Sequence, residues 1–320
     1  MTESFVDVAL LAYGGPATPE QIVPFLERLM GREPDAGTVA AVQERYALIG
    51  GASPLPAITA RQAVALQAKL IQELAFPLRV RHGFLYAEPT VADCVGGLDA
   101  REVIAVPLSP FASRLTTEKY RAQIAAAEAA AGGRDIPLLE GWYTSRGFVQ
   151  AVSRRAAAAL DGSAADEWAV LFTAHNVPAE TIAEGDPYAE QLQHTIAQLV
   201  PAIMPGDWRF AYQSKGRGGG EWLEPEVDDT VRRLAEDGWK KILVIPVGFV
   251  SDNVETLYDL DIVLREQIES LGMEYRRSAA PNDSPVFIEA LADVVTDYLA
   301  RRPVERALQP NGGPHDHGGA

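Results

Sequence analysis

The sequence of 320 residues contains a single cysteine, Cys94. One thiol excludes an intramolecular disulfide, a CxxC zinc site and an iron–sulfur cluster held by cysteines. The apolar runs are also short, because the longest covers residues 242–250 and is interrupted by Pro246 and Gly248. A bilayer requires roughly 20 apolar residues, and the first residues do not resemble a secretory leader. We therefore expect a cytoplasmic protein without an integral membrane segment.

Positive charge is scarce, with 28 Lys and Arg against 44 Asp and Glu and a net charge of −16. Such a chain repels phosphate backbones, so we expect no nucleic-acid partner and favour a cationic metal instead. Glycine-rich phosphate loops are missing as well. Gly14 and Gly15 follow the first apolar run, but the GxGxxG and GxxxxGK[ST] patterns do not occur. This absence disfavours a nucleotide-binding regulatory protein.

Short apolar runs alternate with segments of helical periodicity, which predicts an α/β protein. Runs such as residues 169–172 and 242–245 are apolar throughout. Because strands buried on both faces show this composition, we expect parallel sheets covered by helices. Strands are predicted at residues 5–12, 78–85, 102–108, 136–139, 168–173, 210–213, 241–246 and 274–277. Helices are predicted at 18–30, 36–47, 59–74, 117–130, 146–160, 188–204, 225–237, 254–271 and 284–301.

The two halves of this pattern are alike. Residues 103–113 and 242–252 share a strand–Pro–loop shape, and residues 10–16 match 171–178 in the same loose way. We predict two similar Rossmann-like domains at residues 1–160 and 165–302, followed by a disordered, glycine- and proline-rich tail at 303–320. Ligands of open α/β sheets bind beyond the carboxyl ends of the strands, so the interdomain cleft is the expected site.

One of the five histidines is placed for chemistry. His175 ends an apolar run, where an imidazole can accept a proton near neutral pH or bind a metal. A hydrogen-bonded loop histidine is an equally good interpretation of position alone. His82 ends another predicted strand, and its position is compatible with either a structural hydrogen bond or a contact with a ligand. His194 is interpreted as part of a solvated helix face, and His315 and His317 as inert tail residues.

A group of acids follows the strand at residues 241–246. Ser251 and Asp252 can cap a helix, and Glu255 and Asp259 then lie four residues apart on one face. The helix dipole explains acids at a helix start, but it does not explain Asp261. Like charges this close are tolerated where a cation or a proton path lies among them.

Eight motifs follow one another along the chain: LAYGGP (11–16), RYALIGGASPL (45–55), VRHGFLY (80–86), TAH (173–175), GDPY (185–188), YQSK (212–215), WLEP (222–225) and GFVSDNVETLYD (248–259). In order and spacing they resemble the ferrochelatases over residues 5–302. This resemblance implies two Rossmann-like domains that clasp a porphyrin, and insertion of Fe²⁺ without nucleotide hydrolysis or redox change. It implies no cofactor beyond the substrate iron and no iron–sulfur cluster.

The resemblance implies roles for individual residues. The invariant pair of the family, which handles protons and the metal, falls on His175 and Glu255. The first half is more similar to the coproporphyrin-type branch, in which a tyrosine on the other face of the ring ligates the product iron, and Tyr13 stands at that place. Asn253 replaces a common family histidine, and Val263 stands where some members extend the acids, which disfavours an outer metal site. Further ring contacts fall on Arg45, Tyr46, Ser53 and Tyr120.

The expected activity is therefore insertion of Fe²⁺ into coproporphyrin III in haem biosynthesis. Two alternatives stay open: the same chemistry on protoporphyrin IX, and a non-catalytic haem or porphyrin carrier that uses Tyr13. The oligomeric state is also open, with a monomer as one option.

Overall fold

The computed structural model describes residues 6–74, 76–98, 100, 102–130, 135–216 and 220–301. The predicted tail at 303–320 lies outside these residues. Within them, the strands form two parallel sheets, which confirms the predicted fold class. The first sheet has the order β2-β1-β3. Its strands are β1 (Val6–Ala12), β2 (Arg79–Phe84) and β3 (Glu102–Pro107).

The second sheet has the order β5-β4-β6-β7, with β4 (Ala169–His175), β5 (Asp207–Gln213), β6 (Lys241–Ile245) and β7 (Glu274–Arg277). In each half the first strand lies between the second and the third, so the two halves share one topology. Strand β7 is an addition at the edge of the second sheet. Every residue of β1 is buried, as expected of a strand that is covered on both faces.

Helices cover both sheets. Their bounds are α1 (Ile22–Met30), α2 (Ala36–Leu48), α3 (Leu55–Leu74), α4 (Val91–Gly96), α5 (Thr117–Ala130), α6 (Arg146–Leu160), α7 (Ala179–Ala183), α8 (Tyr188–Ile203), α9 (Val227–Glu236), α10 (Arg265–Ser270) and α11 (Pro285–Ala300). A π-helix (Glu255–Leu264) runs directly into α10. The short helices α4 and α7 were not expected from the sequence. In the described part of the chain, none of these helices has the length and apolar character required to cross a bilayer.

The predicted strand at 136–139 and the predicted start of helix α3 differ from the structure, and the helix predicted at 254–271 is a π-helix over Glu255–Leu264. The segment at residues 136–139 was expected to be a strand, but it forms one isolated bridge between Leu138 and Ala105. Pro137 has no N–H to donate, so this segment cannot continue a ladder beside β3. Helix α3 begins at Leu55 rather than at 59, because Pro56 lies in the first turn, where no N–H is required.

A single hydrophobic core joins the two halves. It includes Leu10 of β1, Leu66 of α3, Phe148 of α6, Phe172 of β4 and Leu291 of α11, each of them fully buried. Helix α11, the last helix of the described chain, packs on both α3 and α6. Helix α6 also packs along β6 and β7. The relative position of the two sheets therefore depends on this shared core. The domain bounds at 160 and 165 stay a prediction.

Candidate active site

The site begins where β4 and β6 end beside each other. The two strands pair in parallel up to Phe172 and Ile245, and His175 is the last residue of β4. The chain leaving β6 then passes close to β4 at Gly248, where an added Cβ would lie 2.8 Å from Ala174 Cβ. Glycine is required for this approach, and its N–H donates to the carbonyl of Thr173 at 3.2 Å. This close approach brings the segment with the acids, residues 252–261, next to His175.

Asn253 opens the helix that carries Glu255. Its Oδ1 accepts from the N–H groups of Glu255 at 2.8 Å and Thr256 at 3.4 Å, and Thr256 Oγ1 accepts from the N–H of Asn253 at 2.9 Å. The expected cap by Ser251 or Asp252 is therefore wrong, because Asp252 is engaged elsewhere. The element that follows is a π-helix, a form that is rare and concentrated at functional sites.

His175 and Glu255 meet as expected from the resemblance. Glu255 Oε2 lies 3.0 Å from His175 Nδ1, and the imidazole is 41% exposed, which leaves Nε2 for a ligand. The hydroxyl of Tyr188 donates to the carbonyl of His175 at 3.2 Å and fixes the strand end. Burial opposes the imidazolium, but the carboxylate of Glu255 outweighs burial, so the pKa of His175 is raised.

Two residues at the end of β5 support the π-helix, and sequence reasoning assigned no role to either. Gln213, which pairs with His175 in the sheet register, donates from Nε2 to the carbonyl of Glu255 at 3.2 Å. The hydroxyl of Ser214 donates a short hydrogen bond to Asp259. Burial raises the pKa of Asp259, the bond from Ser214 opposes the rise, and the charge of Glu255 adds to it. Gln213 ends a predicted strand and Ser214 follows it directly, and this position was the available signal.

The cation among the acids is a residue of the protein. Arg277 of β7 donates to both oxygens of Asp261, with each N–O distance 2.7 Å, and to Asp252 Oδ1 at 2.8 Å. Arg277 therefore accounts for the acid at Asp261, and the cation or proton path expected beside Glu255 and Asp259 stays a prediction. Over the ranges that the structure describes, no group of three or more His, Cys, Asp or Glu side chains could hold a metal ion.

Tyr13 follows β1 in the opposite half and is 38% exposed. Its ring lies 4.7 Å from that of Tyr86, and Lys119 Nζ donates to the Tyr86 hydroxyl at 2.8 Å. Partial burial, then Tyr86, then the charge of Glu255 raise the pKa of Tyr13.

The other sequence-predicted contacts lie on the same side as Tyr13. Arg45 of α2 reaches the second half, where its guanidinium is 5.2 Å from the ring centre of Tyr258. Tyr46 is buried, and burial followed by the charge of Glu255 raises its pKa. Ser53 caps α3 by accepting from the N–H of Leu55 at 3.3 Å. Tyr120 is buried in the core of the first half, where burial and then Tyr13 raise its pKa.

The other two histidines in the described ranges contribute packing. His82 lies edge-on to Phe84 with ring centres 5.5 Å apart, and burial followed by Arg81 lowers its pKa. His194 is exposed on α8, as predicted, with its ring 5.4 Å from that of Tyr143.

The solved structures that align with this chain include chelatases. SirB from Bacillus subtilis with Fe³⁺ aligns with a TM-score of 0.57 at 11% identity, covering 92% of this chain and 95% of that one. CbiX, the terminal enzyme of sirohaem biosynthesis in denitrifying bacteria, aligns with a TM-score of 0.55 at 15% identity, covering 91% and 98%. At these identities the likeness shows the fold, which is the two-domain Rossmann-like fold of chelatases.

Sequence comparison is more specific. The family profile of the ferrochelatases matches residues 6–299. The coproporphyrin III ferrochelatase of Anoxybacillus flavithermus is 33% identical over 94% of this chain and 98% of its own length. A ferrochelatase of Deinococcus radiodurans is 36% identical over 90% and 94%. The chain therefore belongs to the ferrochelatase family, and it is an enzyme that inserts iron into a porphyrin in haem synthesis.

Proposed function

We propose that the porphyrin is coproporphyrin III and that His175 and Glu255 carry out the insertion of Fe²⁺. The contact of 3.0 Å between His175 Nδ1 and Glu255 Oε2 is the observation on which the proposal rests. The contact joins an imidazole that can accept a proton to a carboxylate at the end of β4, and Tyr13 follows β1 in the other half.

The reaction requires removal of two protons. A free porphyrin carries two inner N–H groups, and both must leave as Fe²⁺ binds the four nitrogens. In the proposed mechanism, His175 accepts one proton at Nε2, and Glu255 at Nδ1 stabilises the imidazolium that forms. The imidazolium releases this proton to water before His175 accepts the second proton. Imidazole and carboxylate are also ligands that suit Fe²⁺, so the same pair can replace water on the incoming ion. The oxidation state of iron does not change.

Tyr13 is proposed to act on the opposite face of the ring. Its phenol oxygen can ligate the iron of the product once that iron is oxidised. The contact with Tyr86, 4.7 Å between ring centres, fixes the orientation of the Tyr13 ring.

The four propionates of coproporphyrin favour donors around the cleft. Arg45 extends its guanidinium from α2 toward the π-helix, where it reaches Tyr258. Arginine pairs with carboxylates through two parallel hydrogen bonds, which suits a propionate. Tyr46 and Ser53 are further hydroxyl donors on the same side. The relative named coproporphyrin III ferrochelatase, which this chain matches over nearly its full length, supports this choice of substrate.

An anaerobic assay with Fe²⁺ tests the proposal. Coproporphyrin III and protoporphyrin IX are compared by kcat/KM from the loss of free-porphyrin fluorescence. We expect the higher value for coproporphyrin III. A higher value for protoporphyrin IX assigns the enzyme to the two-propionate substrate, and porphyrin binding without insertion would favour the carrier.

Three further expectations stay predictions: no cofactor beyond the substrate iron, no nucleic-acid partner and a cytoplasmic location. The first is tested by activity of the purified chain after exhaustive removal of metals and small molecules, with Fe²⁺ and porphyrin as the sole additions.

A further inference from the structure

Arg277 joins two separate points of the segment that carries Glu255. It ends β7 at the sheet edge, and its side chain is 9% exposed. One branch of the guanidinium donates to Asp252, which precedes the π-helix, at 2.8 Å. The other side donates to both oxygens of Asp261, inside the π-helix, at 2.7 Å each. The residue therefore links the entrance of the helix to its second half.

Neighbouring groups complete this attachment. Asp252 also accepts from Thr256 Oγ1 at 3.2 Å and from Asn282 Nδ2 at 2.6 Å, and Thr256 is adjacent to Glu255. The hydroxyl of Tyr275, on the same strand as Arg277, donates to the carbonyl of Leu260 at 3.0 Å. Strand β7 thus binds the backbone of the π-helix as well as its acids.

We propose that Arg277 is a positioning residue for iron insertion, acting through Asp252 and Asp261 to hold the π-helix so that Glu255 stays in contact with His175. This inference rests on the proposed role of Glu255. A planar guanidinium with two carboxylates has a defined geometry that a lysine ammonium cannot reproduce. The π-helix is an uncommon form that requires support from its surroundings, and β7 supplies that support on the side away from the cleft.

The expected effect is on turnover rather than on substrate binding. A displacement of a catalytic group by about 1 Å can lower the rate by about 100-fold. The residues proposed to contact the porphyrin are Tyr13 after β1, Arg45 and Tyr46 of α2 and Ser53 before α3. The hydrogen bonds of Arg277 go instead to Asp252, Asp261 and the carbonyl of Ser278. We therefore expect Arg277→Lys to lower kcat at least about tenfold while the KM for porphyrin stays within about twofold.

Arg276→Lys is the matched control. Arg276 is the neighbour on β7, and its guanidinium donates to the carbonyls of Ala159 at 3.3 Å and Leu160 at 2.5 Å, in the last turn of α6. It bears the same substitution on the same strand but does not reach the π-helix. We expect its kcat to stay near that of the wild type. Equal losses of kcat in the two variants would overturn the proposal.

A double-mutant cycle separates positioning from a general structural effect. If Arg277 acts through Glu255, Arg277→Lys should change kcat by less than about twofold in the Glu255→Gln background. An equal fold-loss in both backgrounds would overturn the proposal, as would wild-type kcat in the single variant. Where Arg277→Lys does not fold, Asp261→Asn replaces it with the same expectations. Wild-type turnover of Glu255→Gln alone would instead show that the proposed role of Glu255 is wrong.

Discussion

Replacing Glu255 with glutamine isolates the charge at the centre of the site. The amide keeps the shape of the side chain and can still lie 3.0 Å from His175 Nδ1, but it neither stabilises an imidazolium nor neutralises Fe²⁺. A group that assists proton transfer contributes about 10²–10⁴-fold, which corresponds to about 3–5 kcal/mol of transition-state stabilisation. We expect kcat for Fe²⁺ insertion to decrease by a factor within that range, with little change in the melting temperature.

The pH dependence gives this prediction a second, independent readout. The base must be neutral, and in the wild type Glu255 overcomes burial and raises the pKa of His175. The acid limb of the rate profile should therefore lie above the usual imidazole value of about 6.5. In Glu255→Gln, burial is opposed mainly by the more weakly acting Asp259, so the acid limb should move to lower pH.

The assay is anaerobic and follows loss of porphyrin fluorescence over a range of pH. Glu269→Gln is the control, because Glu269 pairs with Arg265 on the exposed side of α10. Exposed ion pairs of this kind contribute about 0–1 kcal/mol, so the control should retain wild-type turnover. A loss below about threefold in Glu255→Gln, with an unmoved acid limb, would refute the reasoning and leave Glu255 as a helix-start acid.

Three further variants test the rest of the site. His175→Ala should abolish insertion while porphyrin affinity, from a fluorescence titration, changes by a few-fold at most; near wild-type turnover would contradict the assignment. Tyr13→Phe should change the absorption spectrum of the bound iron product and speed its release more than it slows insertion, and an unchanged spectrum would show that Tyr13 is not the ligand. Gly248→Val should lower the melting temperature, because an added Cβ would lie 2.8 Å from Ala174 Cβ and 2.9 Å from its Cα. An unchanged melting temperature would mean that the chain after β6 can move away from β4 at no cost.

The sequence predicted the elements whose signal is local. Continuous apolar runs identified strands such as β4 and β6, since burial on both faces dictates their composition. The same reasoning placed His175 at a strand end and Glu255 at a helix start. It failed at residues 136–139, where an apolar run contains Pro137 and the missing N–H prevents a ladder. It also gave no indication that the helix after β6 is a π-helix, because the apolar pattern of one turn does not distinguish these forms.

The tertiary structure decided which distant residues meet. His175 and Glu255 are 80 positions apart, and their contact depends on β4 and β6 being adjacent and on the close approach at Gly248. The role of Asp261 could likewise not be predicted from the sequence, because it depends on β7, which places Arg277 beside it. Periodicity and capping are set by neighbours within a few residues along the chain. Contacts between charged side chains depend instead on the packing of whole strands and helices, which no short stretch of sequence specifies.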